Sequence, residues 1–189
     1  MLFMENLWWE ADGLKHLTAH VDSGEARPRA RCDKMLEAKN FQSGMQTLRQ
    51  VEFSLFDMLL HTAHNPNDDL MALLNQVRAE VAVIAAPPYS RTAHTFSHVF
   101  SGGYAAGYYS YKWAEVLSAD AYAAFEESAQ AADLGEGAGK TTVTVETGRK
   151  YRKAILEAGR SRPAMESLKA CRARDPPPAR QCGPREPPR

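Results

Sequence analysis

At 189 residues the chain is long enough to build one domain with a real core. Its 23 basic and 23 acidic side chains cancel, which excludes a global field aimed at nucleic acid or a membrane surface. With 44% hydrophobic and 24% charged residues, it has the composition of an ordinary soluble globular protein.

From Glu5 to about Val21, Leu7, Trp8, Leu14, Leu17 and Val21 recur at helical spacing, and Asp22-Ser23-Gly24 stops the pattern. A second, short helix is expected from Pro28 to about Ala38, with Pro28 tolerated in its first turn. Between Phe41 and His61, Phe41, Met45, Leu48, Phe53, Leu55, Phe56, Leu59 and Leu60 form a broad apolar stripe, the pattern of a core helix. Asn67 or Asp68 is placed to cap the next helix, whose apolar positions run from Leu70 to Ile84 before Pro87-Pro88 ends it.

Residues 87–103 read as irregular, and the alanine-rich segment after Gly102-Gly103 reads as a helix to about Glu127. Residues 128–148 read as a loop, with a short strand expected at Thr141–Val145. Two short helices are expected near 149–158 and 163–172. The fold class is therefore all-α, with one domain over 1–174 and a Pro/Arg-rich, disordered tail over 175–189. Residues 149–189 hold 12 basic and 4 acidic groups, a bias read as a solvated tail in preference to a nucleic-acid contact.

Several motifs approach known chemistry and miss it. "HLTAH", His16 to His20, has the i, i+4 histidine spacing of a zinc helix but carries Leu17 where the HExxH pattern needs its glutamate base. "HTFSH", His94 to His98, fails at Thr95. "GEGAGKT", Gly135 to Thr141, would need a glycine at Leu134 to cradle phosphate as a P-loop. Cys32, Cys171 and Cys182 are scattered without a CxxC pair, so no disulfide framework or cysteine zinc site is expected, and a reducing cytoplasm fits best. No segment approaches the ~18 apolar residues of a membrane span, and the N-terminus lacks the pattern of an export signal.

The segment "HVFSGGYAAGYYSYKW", His98 to Trp113, sets four tyrosines behind a Gly-Gly pair. On a helix starting near that pair, Tyr104, Tyr108 and Tyr111 share a face and Tyr109 points elsewhere. Spacing alone leaves two readings open: interior packing, the commoner use of an aromatic stripe, or hydroxyls directed at a substrate. Trp8, Trp9, Trp113 and the Phe53–Phe56 cluster are expected in the core.

Four blocks occur in one familiar order: "FMENLWWE" (3–10), "KMLEAKNFQSGMQTLRQVEFSLFDMLLH" (34–61), "FSHVFSGGYAAGYYSYKWAEVLSADAYAAFEE" (96–127) and "ETGRKYRKAILEAGRSRP" (146–163). Together, over Phe3 to Arg174, they resemble the C-terminal part of oligopeptidase A-like zinc metallopeptidases of the thimet oligopeptidase family. The resemblance implies a helical, bowl-like cytoplasmic peptidase acting on short peptides. It further implies that Tyr111 hydrogen-bonds the transition-state oxygen, that Tyr104 and His98 contact substrate or the same oxyanion, and that Tyr108 lines the cleft. Gly102 and Gly103 would let the loop close over a peptide.

In that family zinc is held by a HExxH helix and a further glutamate, and the corresponding positions precede Met1. The expectation is a chain that carries substrate-binding residues but no metal ligands and is inactive alone, with a separate N-terminal part as partner. A non-catalytic helical module that binds peptides or a partner, or the remnant of a truncated gene, is the alternative. Other departures from the family pattern are Arg160 in "EAGRSRP", the stretch near 133–145 and the ending after Arg174.

Overall fold

The computed structural model describes residues 2–132 and 142–174. The phosphate-loop lookalike at 135–141 and the proline-rich ending at 175–189 lie outside the described residues. Among the described residues the secondary structure is entirely helical: α1 (Leu2–Leu7), α2 (Ala11–Leu17), α3 (Arg29–Lys39), α4 (Ser43–Thr62), α5 (Leu70–Val81), α6 (Ser97–Phe100), α7 (Ser110–Ala132), α8 (Val145–Tyr151) and α9 (Ala164–Arg172). A 3₁₀ turn at Thr92–Thr95 precedes α6, and a π-helical turn at Arg152–Leu156 continues α8. The chain divides into two compact units, 40–113 and the pair of segments 1–39 and 114–189.

In the two-segment unit, the core gathers Phe3, Ala121, Tyr122, Phe125, Tyr151, Ala154, Leu168 and Cys171. Phe3 stacks on Tyr151 with ring centroids 3.8 Å apart. The helix expected from Glu5 to Val21 is in fact two helices. The amides of Trp8, Trp9 and Glu10 each bond three residues back, and Glu10 is extended, so the first helix tightens and stops before α2 begins. The buried Asn6 amide donates to the carbonyls of Leu2 and Phe3 and to the Ser118 hydroxyl, which anchors α1 against α7. Leu17 ends α2, and Val21 is fully outside the core.

The tryptophans correct another expectation: Trp8 is 48% exposed and Trp113, in the other unit, 59% exposed. Trp9 is half-buried, with the Lys39 ammonium 4.9 Å from its ring centre. The α7 helix runs to Ala132, beyond the expected end, and the strand expected at Thr141–Val145 is absent from the described part of that stretch. Thr144 is instead the N-cap of α8, accepting from the Thr147 amide. Arg162 ties the start of α9 back to the π turn, donating to the Ala154 carbonyl at 2.7 Å and to Ser167.

The unit of residues 40–113 packs Phe56, Met71, Leu74, Val77, Ala93, Phe96, Val99 and Tyr108 into one cluster. Helices α4 and α5 supply half of it, as their apolar stripes predict, and the segment from the 3₁₀ turn to Tyr108 supplies the rest. The cap of α5 is Asp69, whose carboxylate accepts from the Met71 amide at 2.8 Å; this is one or two residues later than expected. Helix α5 ends at Val81, leaving Val83 and Ile84 exposed. Glu52 on α4, 2% exposed, accepts from the buried Arg78 on α5 at 3.0 Å and from Arg49 at 3.2 Å. Arg78 also donates to Thr92, which joins the 3₁₀ turn to the helix pair.

Candidate functional site

The Gly-Gly pair begins a sequence of turns. Gly102 cannot carry a side chain, because a Cβ there would lie 2.8 Å from His98 Cα and 2.9 Å from the His98 carbonyl oxygen. Gly103 adopts φ +77°, the left-handed conformation that glycine tolerates best. The Tyr104 amide then donates to the His98 carbonyl at 3.1 Å, closing the loop beneath the histidine. Ala106 also takes a left-handed φ of +54°, and the Gly107 amide donates to the Tyr104 carbonyl. Helix α7 starts only at Ser110.

Tyr104, Tyr108 and Tyr111 therefore do not share one helical face, because Tyr104 and Tyr108 stand in the turns and only Tyr111 is on α7. Their rings meet all the same: Tyr104 and Tyr111 have centroids 4.9 Å apart, and Tyr108 and Tyr111 5.2 Å. The His98 ring lies 5.8 to 6.0 Å from all three. Tyr109 is half exposed, consistent with its expected separate direction.

Within the cluster the roles divide by burial. Tyr108 is buried against Phe53 and Phe96, and its hydroxyl donates to Gln50 Oε1 at 3.1 Å. Burial raises its pKa, with the nearby Arg49 charge opposing. Tyr104 and Tyr111 are half-buried and His98 is exposed. The hydrogen bond between the Tyr111 and Tyr104 side chains is the main cause that pushes the Tyr111 pKa up to about 12, with desolvation and the neighbouring tyrosines adding to it. At neutral pH this leaves a protonated hydroxyl pair, able to donate to an oxygen that gains negative charge.

Two residues that sequence reasoning passed over hold the turns in place. Asp57, 1% exposed on α4, accepts from the Ala106 amide through Oδ1 and from the Tyr108 amide through Oδ2, each at 2.9 Å. His61, one turn further along, places Nδ1 3.0 Å from Asp57 Oδ1 and 2.8 Å from the Asp57 carbonyl oxygen. Gln50 is the second residue. The available signal was a carboxylate inside the apolar stripe of α4, between Phe53 and Leu60, where a lone charge needs partners.

No group of three or more His, Cys, Asp or Glu among the described residues is arranged to hold a metal ion. No helix among the described residues is long and apolar enough to cross a membrane.

The profile of Peptidase family M3 matches residues 2–182, reaching past Arg174 into the proline-rich ending. Oligopeptidase A of Salmonella typhimurium is 44% identical over 176 residues, covering 92% of this chain and 24% of that protein. Oligopeptidase A of Escherichia coli is 43% identical with the same coverage. An organellar oligopeptidase A of Arabidopsis thaliana is 38% identical over 178 residues, covering 93% of this chain and 22% of that protein. The chain belongs to Peptidase family M3 and is oligopeptidase A-like. It spans about a quarter of the length of the curated relatives it matches.

Proposed function

We propose that this chain is the substrate-binding, C-terminal part of a zinc-dependent endopeptidase that hydrolyses short oligopeptides. The supporting observation is the Tyr104–Tyr111 hydroxyl pair beside an exposed His98, on the segment with the most specific likeness to the family. In this reading the substrate carbonyl oxygen lies against the Tyr111 hydroxyl. Tyr111 turns its hydroxyl proton from Tyr104 to that oxygen as it becomes an oxyanion, Tyr104 shares the donation or holds Tyr111 in line, and His98 contacts the peptide. Tyr108 forms the wall behind them. Gly102 and Gly103 shape the loop that brings His98 and Tyr104 together.

The zinc ion and the glutamate base would come from an N-terminal part of the same enzyme, the partner this reading requires. The 1–174 segment is then one portion of a catalytic domain. The test is to assay the purified chain alone and mixed with a separately produced N-terminal portion of an oligopeptidase A. Chelator-sensitive hydrolysis of a fluorogenic oligopeptide only in the mixture is the expected result. Hydrolysis by the chain alone overturns the division of labour. Peptide binding without any restored activity favours a non-catalytic binding module.

A further inference from the structure

We infer that Asp57 is a positioning residue for the Tyr104–Tyr111 hydroxyl pair, acting through the backbone of the turns between them. The inference rests on the proposed function for its meaning in catalysis, but its geometry stands apart from it. The two amides that Asp57 receives, Ala106 and Tyr108, belong to the short segment separating the two tyrosines. Ala106 is in a left-handed conformation that a residue with a Cβ rarely adopts, so the turn needs something to hold it. Amides arranged around a left-handed residue form a natural cradle for an anion, and here the anion is a side chain of the protein's own helix. Charge-assisted bonds of this kind are stronger than those between neutral groups.

Helix α4 grips Tyr108 at both ends. Asp57 holds its backbone amide, and Gln50, seven residues earlier and so on the same face, accepts from its hydroxyl at 3.1 Å. The Tyr108 ring, fixed in this way, is the surface on which Tyr111 and His98 pack. His61 completes the arrangement. Its Nδ1 faces two acceptors, so that nitrogen carries the proton and donates towards the Asp57 carboxylate. Asp57 thus connects one rigid helix to a turn that would otherwise set the hydroxyl positions loosely.

The experiment incorporates 3-fluorotyrosine throughout the whole chain, which lowers tyrosine ionisation into a range the fold tolerates, and follows it by ¹⁹F NMR. The Tyr111 resonance is assigned with Tyr111→Phe. In Asp57→Asn with unchanged helical circular dichroism, Tyr111 is expected to ionise earlier than in the unaltered chain by more than about one pH unit, because its bond to Tyr104 loosens. Tyr122, in the other unit, should not move. A folded Asp57→Asn chain with Tyr111 unmoved overturns the inference.

If that variant does not fold, amide exchange in the unaltered chain decides instead. Ala106 and Tyr108 exchanging at least about 10-fold more slowly than Ala105 supports the clamp, and equal rates overturn it. Affinity of the unaltered chain for a fluorescent oligopeptide is measured alongside. No binding, together with a displaced Tyr111 in the variant, removes the substrate-face reading and leaves the positioning role standing.

Discussion

Both compact units bury an aspartate almost completely, yet they partner it in opposite ways. Asp57, in the unit of residues 40–113, accepts from backbone amides of irregular turns. Asp120, in the other, accepts from Arg174 at 2.7 Å and lies 3.5 Å from Arg172, which also forms a two-pronged bond to Glu127. An arginine partner brings a compensating charge to the core and ties the end of α9 to α7. Backbone amides bring no net charge but fix a conformation the turns would not choose. The same buried group serves stability in one unit and placement in the other.

That contrast can be broken most severely at the buried ion pair of the 40–113 unit. Glu52→Ala leaves Arg78 without its carboxylate and is expected to cost about 3–5 kcal/mol in urea unfolding. The double change to Glu52→Leu with Arg78→Met should recover most of that loss, since a hydrophobic pair avoids burying either charge. In the functional comparison, Tyr111→Phe should lower the rate of the reconstituted enzyme by on the order of 10²–10³, with little change in its urea midpoint. A rate equal to that of the unaltered enzyme would exclude Tyr111 as the oxyanion donor.

Smaller effects sharpen the comparison. Arg172→Met leaves Asp120 with Arg174, so its expected cost is about 1–3 kcal/mol, below that of Glu52→Ala. Asp69→Ala removes only the α5 cap and should cost about 1 kcal/mol. The pH response is the finest test. Tyr111 is raised from 10.0 to about 12, chiefly by its hydrogen bond to Tyr104. Its contribution to stability is therefore complete below pH 10 and lost as the pH climbs through 12. Unfolding curves collected across that window should show a decline that Tyr111→Phe reduces.

Regular helices were legible because their apolar spacing is repeated over several turns. Helices α4, α5 and α9 lie within a few residues of their expected bounds. What was hidden depends on single contacts between distant positions. Asn6 anchors α1 by bonding a serine 112 residues away, which no local pattern announces. The site was half legible. Composition and order marked His98, Tyr104, Tyr108 and Tyr111, but helical spacing gave the wrong reason for their meeting. They converge because Gly102, Gly103 and Ala106 turn the chain and Asp57 holds it there. The tryptophans misled because large aromatic side chains are usually buried, whereas Trp8 and Trp113 keep much of their surface in water.

Those two indoles make the chain its own optical gauge. In water they should emit at long wavelength and be open to collisional quenching by iodide. A partner that seats over either one should shift that emission to the blue and shield it. Replacing Trp8 or Trp113 singly by phenylalanine would then report, without any attached dye, which compact unit the partner covers.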